Sequence, residues 1–159
     1  LRHLFARPAR LTFPPALIQR IAAVVAECER RHLGEICFAV EAGLELPQLW
    51  AGQDARERAV DVFGQLRVWD TQRNNGVLIY LLLADHRIEI VADHGLDQLV
   101  SQAQWHAVCQ QMQERLKAGD VEDAAVIGVK AVSDLLTQHF PRAPGDADEN
   151  ELQDAPQLL

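Results

Sequence analysis

The sequence predicts an α/β/α sandwich on a small mixed sheet. Three observations predict it. After the turn Asn74-Asn75-Gly76 the chain runs without a charge from Val77 to Leu83, which reads as a strand buried on both faces. Ala84-Asp85-His86-Arg87 then reverses it into Ile88-Glu89-Ile90-Val91-Ala92, a more alternating antiparallel partner. Around this hairpin, stretches of helical periodicity are interleaved with short apolar runs in the order helix, strand, helix, strand, strand, helix, helix.

Each element has its own signal. Pro14 and Pro15 open a helix whose Leu17, Ile18, Ile21, Val24, Val25 and Cys28 share one face, with Arg20, Glu27, Arg30 and Arg31 opposite. Gly34 is expected to end it. Ile36, Phe38 and Val40 alternate with Cys37, Ala39 and Glu41 as the first strand, and a loop through Pro47 and Gly52 follows. Asp54 with Glu57 three residues on is a capping box. The helix it starts turns Ala59, Val62, Phe63, Leu66 and Trp69 inward and crosses over to the hairpin, so the first strand should lie parallel to the buried one. Ser101 and Gln104 cap a helix with the stripe Trp105, Val108, Cys109, Met112 and Leu116, which stops at Gly119. Asp120 caps the last helix, apolar at Val121, Ala124, Ala125, Gly128, Val132, Leu135, Leu136 and Phe140 and stopped by Pro141.

With 159 residues, 48% of them hydrophobic, the chain can bury a core as a single domain, assigned to residues 1–143. From Pro144 onward, Asp146, Asp148, Glu149, Glu151 and Asp154 occur without a base, so residues 144–159 are expected to form a disordered acidic tail. Cys28, Cys37 and Cys109 are odd in number, far apart and set in apolar patterns, which describes reduced core cysteines in a reducing compartment. A net charge of −8 argues against nucleic acid as a partner, because phosphate binding needs clustered bases. Arg2, His3, Arg7 and Arg10 are a basic exception at the start. No apolar run is long enough to span a bilayer, so no transmembrane segment is expected.

The topology sorts the polar residues to two edges of the sheet. Glu41, Asp85, His86 and Arg87 belong to one. Asp70, Asn74, Asn75, Asp93, His94 and Asp97 belong to the other, which is the richer in the hard oxygen ligands that calcium or magnesium would need. Asn and Asp also suit tight turns for their own sake. Zinc would need His86, His94 and His106 to converge from three separate places. Cys109 as a nucleophile would need His106 beside it, yet it belongs to the buried stripe. The chain contains no glycine-rich phosphate loop, no Gly-x-Ser-x-Gly and no His-Glu-x-x-His. No catalytic residue is therefore assigned.

The combination Asn75-Gly76-Val77-Leu78-Ile79, Ala84-Asp85-His86-Arg87 and Ile90-Val91-Ala92-Asp93-His94-Gly95-Leu96-Asp97 resembles the TPM domain family from about Gly34 to Phe140. Val68-Trp69-Asp70-Thr71 marks it as similar to a bacterial soluble branch, related to the thylakoid-lumen TPM phosphatase-like proteins. The resemblance implies an α/β/α sandwich, association with membranes, weak acid phosphatase activity in some members, and calcium or magnesium held near the turn. In that pattern an Asp precedes Asn-Gly, a Glu follows Gly-Leu and an Asp starts the next helix. Here the positions carry Asn74, Asp97 and Gln102, so two of three acids are neutral amides and the attraction for a divalent ion falls. Asp70 and Asp93 lie near in sequence, which makes Asp97, Asp93 and Asp70 the metal-ligand candidates. Asp70, Asn74, Asn75, Asp93, His94, Asp97 and Gln102 together form the expected ligand or partner surface. The function expected is a noncatalytic interaction or assembly module acting with a membrane-associated protein partner, in the cytoplasm or peripheral to the inner membrane. The alternative is a weak metal-dependent acid phosphatase.

Overall fold

The computed structural model describes residues 2–147 and 149–159. They form a four-stranded mixed sheet in the order β3-β2-β1-β4 with helices on both faces. Strands β1 (Glu35–Glu41) and β2 (Gly76–Leu82) run parallel with Glu35 opposite Gly76 and Glu41 opposite Leu82. Strand β3 (Arg87–Ala92) is antiparallel to β2. Every residue of β1 and β2 is buried, as the charge-free run in β2 predicts.

The two faces carry two cores. Ile36, Phe38, Val40, Val77, Ile79, Leu81, Ile88 and Ile90 meet the apolar stripes of α2 (Pro15–Glu29), α5 (Gln102–Lys117) and α6 (Val121–His139). Cys37, Ala39, Leu78, Tyr80, Leu82 and Val91 pack on α4 (Ala55–Gln65). The reciprocal capping boxes expected for α4 and α5 are present, and Asp120 caps α6 through the Asp123 amide. Gly119, at φ 84°, takes the left-handed turn that ends α5. Gly128 faces Met112, whose sulfur a Cβ would strike, so the glycine lets α5 and α6 close on each other.

The structure differs from the sequence reading at five places. Helix α2 ends at Glu29 rather than at Gly34. Gly34 serves packing instead, since a Cβ there would stand 2.7 Å from a Leu136 methyl. Trp69 is exposed and Val68 is buried in its place. Helix α4 stops at Gln65, and Arg67, at φ 54°, breaks the helical phase before Trp69 arrives. The indole lies under the Arg67 guanidinium at 5.3 Å. The expected loop contains a short helix, α3 (Leu46–Trp50), closed by a capping box between Glu45 and Gln48. A single turn, α1 (Ala9–Thr12), precedes α2 and delivers Ala9 and Phe13 to the core, with the Phe13 and Phe38 rings 6.2 Å apart.

The fifth difference concerns the tail. Residues 149–159 return along β1, pack Leu152 against the second core and finish as β4 (Gln157–Leu158), parallel to β1. The Leu159 amide donates to the Val40 carbonyl at 2.9 Å. Composition alone suggests a solvated segment, but the free edge of β1 presents unpaired backbone groups, and the tail satisfies part of that edge. Asp148 lies outside the described residues.

Candidate functional site

The polar edge forms where β1 and β2 begin and β3 ends. Asn74 adopts the left-handed conformation at φ 51°, which asparagine tolerates better than most residues. Its carbonyl accepts from the Gly95 amide at 2.9 Å, tying the turn before β2 to the turn after β3. Gly95 is required by this approach, because a Cβ there would run into the Asn74 carbonyl oxygen and stand 2.7 Å from that of Arg73. Gly76 is held in the same way against the Val68 carbonyl.

Asn75 and Asp93 are buried within this junction. The Asn75 amide donates to the Thr71 hydroxyl at 3.2 Å, and its side-chain nitrogen donates to the Leu33 carbonyl at 3.2 Å. Asp93 caps the one-turn 3-10 helix His94–Leu96. Its Oδ1 accepts from the His94 amide at 2.8 Å and lies 2.9 Å from His94 Nδ1. Two acceptors remain buried without a partner, Asn75 Oδ1 and Asp93 Oδ2.

The other expected residues do not join them. Asp97 follows the 3-10 turn and is exposed. Asp70 is exposed and paired with Arg67 at 2.8 Å. It borders a cavity of about 440 Å³ shared with Cys37, Leu152 and Gln157. Gln102 lines a different cavity with Arg56, Glu89 and His106. Among the described residues, no three His, Cys, Asp or Glu side chains are placed to hold a metal ion. The junction supplies one buried carboxylate, Asp93, and one amide oxygen, Asn75 Oδ1, while Asp70 and Asp97 lie exposed.

The residues of the opposite edge are separately engaged. Glu41 receives a two-point contact from Arg58, both bonds at 2.9 Å, and a hydrogen bond from the Tyr80 hydroxyl at 2.6 Å. This buried triad joins α4 to the sheet. Asp85 pairs with Arg2 at 3.3 Å and His3 at 3.2 Å, and Arg87 with Glu89 at 3.1 Å. Burial pushes the Cys109 thiol up to about 11 and the Cys37 thiol up to about 12, which removes thiolate character at neutral pH.

A second acidic group escaped the sequence reading. Glu29 accepts from the Ile36 amide at 2.8 Å, and burial, reinforced by Glu35 and Asp154, pushes its carboxyl up to about 9. Glu35 accepts from the Glu151 amide at 3.3 Å and is pushed up to about 7, again chiefly by burial. Glu35 Oε2 is buried without a partner among the described residues, and Asp154 faces the Glu29 carboxyl. Part of this was detectable. Glu29 continues the series Ile21, Val24, Val25, Cys28 at helical spacing, which places it on the buried face. The approach of Asp154 depended on a tail that composition assigned to solvent.

The chain is a three-layer sandwich with helices on both faces of a four-stranded mixed sheet. The TPM domain model matches residues 10–135, and the chain belongs to that family. Among solved structures, the chain is similar to the BA42 protein of the psychrophilic bacterium Bizionia argentinensis. The two are 28% identical, with 90% of this chain and 92% of the other covered and a TM-score of 0.77. It shares its fold with the N-terminal domain of a protein from P. gingivalis at 15% identity, covering 79% of this chain and 77% of the other with a TM-score of 0.61. No curated protein matches.

Proposed function

We propose that the chain is a noncatalytic interaction or assembly module of the TPM type, offering the junction of Asn74, Asn75, Asp93 and His94 to a membrane-associated protein partner. Its place is then the cytoplasm or the periphery of the inner membrane. The observation that supports the reading is the pair of buried, unpartnered acceptors, Asn75 Oδ1 and Asp93 Oδ2. Leaving such a group unsatisfied costs about 1–3 kcal/mol. Both atoms lie beneath two neighbouring turns locked by the Gly95 to Asn74 hydrogen bond, so a partner that loosens the junction would open them to its own donors. Metal-assisted phosphoryl transfer has less support, because it requires an ion clamped by carboxylates, and Asp70 is paired instead with Arg67 while Asp97 lies exposed.

The test has two arms. A tagged domain is incubated with a detergent-solubilised membrane fraction, beside the variants Asn75→Ala and Asp93→Ala. A captured protein that both variants lose is the expected result. In parallel, phosphate release from p-nitrophenyl phosphate is followed with added calcium or magnesium. Steady turnover abolished by Asp93→Ala or Asp97→Ala would overturn the reading, as would capture indifferent to both substitutions.

A further inference from the structure

The end of the sandwich opposite the polar junction is where β1 and β2 finish and β3 begins. The N-terminal segment lies across it. His3 Nδ1 accepts from the Leu44 amide at 3.1 Å, and Arg2 and His3 pair with Asp85 at the hairpin turn. Helix α2 runs back toward the start of β1, so α1 and the start of α2 belong to this end, and β4 ends here because it is parallel to β1. Helix α3 joins this end too, since Leu49 shares a cavity wall with Arg2, His3 and Asp85. Ten large hydrophobic side chains are exposed among the described residues, and seven sit in these segments: Leu4, Phe5, Leu11, Leu46, Trp50 and the last two leucines. Phe5 is 80% exposed and Trp50 is 82% exposed, the two highest values of the ten. Isolated exposed apolar groups are ordinary on a protein surface, but gathering at one end is not.

The charges of the same end are sorted as well. Residues 1–13 contain Arg2, Arg7 and Arg10 and no Asp or Glu, in a chain whose net charge is −8. Arg7 and Arg10 are exposed and make no ion pair among the described residues. Of the nearby acids, Asp85 is paired with Arg2 and His3, while Glu45 and Asp54 cap α3 and α4. On the N-terminal segment Leu4 and Phe5 lie between Arg2 and Arg7, and Leu11 follows Arg10, an interleaving of apolar and basic groups that suits entry between lipid headgroups. Shallow apolar insertion and basic attraction are each weak alone and add on an anionic bilayer.

We propose that this end docks on an anionic membrane surface, with Phe5 and Trp50 entering the boundary between headgroups and acyl chains and Arg7 and Arg10 meeting lipid phosphates. The orientation turns the junction of Asn75 and Asp93, at the far end of the strands, away from the bilayer. The docking does not depend on the function proposed for that junction.

Cosedimentation with phosphatidylglycerol-containing vesicles, pure phosphatidylcholine vesicles serving as the control, tests the proposal. Binding is expected on the anionic vesicles alone, declining as salt is raised, with a blue shift in tryptophan emission that Trp50→Phe removes. Arg7→Gln combined with Arg10→Gln should weaken binding about 25-fold, at roughly fivefold per arginine. Phe5→Ser combined with Trp50→Ser should weaken it at least about tenfold. These positions are exposed, so an unchanged amide NMR spectrum elsewhere is the check on folding. Asp93→Ala should bind vesicles normally, which separates failure here from failure of the partner site. No binding to anionic vesicles at low salt overturns the proposal, as does binding that ignores both double variants. Self-association that depends on Phe5 and Trp50, without vesicle binding, overturns it in favour of an interface between copies of the chain.

Discussion

Replacing Glu29 by Gln should stabilise the protein at neutral and alkaline pH. In the folded state the Glu29 carboxyl is raised from 4.5 to about 9, first by burial and then by Glu35 and Asp154. Between those values the folded chain holds a proton that the unfolded chain has released. Stability is therefore fully present below the unfolded value and is lost as pH rises through the folded one. Each pH unit in that window costs about 1.4 kcal/mol. By about pH 7 the loss from this one group reaches about 3 kcal/mol. Glu35, raised to about 7, adds a loss of the same sign up to its own value. Glutamine keeps an oxygen for the Ile36 amide and offers a nitrogen to Asp154 without having to retain a proton. Urea denaturation of both proteins between about pH 5.5 and about pH 8 is the assay. The wild type should lose stability steeply across the range, and the variant should keep only the shallower slope due to Glu35. Parallel pH profiles, or a variant weaker than wild type at the alkaline end, would refute the placement of Glu29 as a buried, protonated acid.

Three further outcomes follow from single contacts. Arg58→Met strands the Glu41 carboxylate beneath α4 and should cost about 3–5 kcal/mol by urea denaturation. Adding Glu41→Gln should recover part of the loss, because the stranded charge is then gone. Gly95→Ala drives a methyl into the carbonyls of Asn74 and Arg73 and should cost about 1–3 kcal/mol. Its amide shift changes should centre on Asn74, Asn75 and Asp93, and changes spread evenly through the domain would contradict the locked junction. Truncation after Ala143 removes Leu152 and Gln157 from the cavity wall beside Cys37. In a background carrying Cys28→Ser and Cys109→Ser, the truncated chain should react faster with a thiol reagent than the full chain. An equal rate would mean that the tail does not cover that wall.

The layers were legible because each rests on a local pattern. A seven-residue charge-free run between two turns reads as a strand with both faces covered, and the capping pairs Asp54 with Glu57 and Ser101 with Gln104 marked helix starts within a residue. Features set by distant contacts were not legible. Gly34 looks like a helix terminator until Leu136, from the other end of the chain, is seen to need its missing Cβ. Trp69 follows the helical period on paper, but the period ends at the left-handed Arg67. For the site, the hairpin topology brought Asn74, Asn75, Asp93 and His94 to one junction. It gave no reason to pair Asp70 with Arg67, three residues before it.

The distribution of unsatisfied groups separates the two acidic regions in kind. At the junction, Asn75 Oδ1 and Asp93 Oδ2 stand in a backbone frame locked by hydrogen bonds and by glycines with no room for a side chain. Protein movement there is costly, and both atoms stay out of reach from the surface while the frame holds. Around Glu29, Glu35 and Asp154 the acids are held partly by a two-residue strand and a returning tail. Protonation relieves the charge, and departure of the tail would relieve it as well. A rise in pH therefore acts first where Glu29 hydrogen-bonds to β1 beside the tail, and the tail touches the turn before the junction through the Gln72 amide on Glu151. Hydrogen exchange should show this as an earlier loss of protection at Leu159, whose amide bonds to Val40, than at Gly95, whose amide bonds to Asn74. Simultaneous loss at the two amides would mean that the tail and the junction open as one unit, and the acidic group would then be part of the fold's global stability rather than of a separate latch.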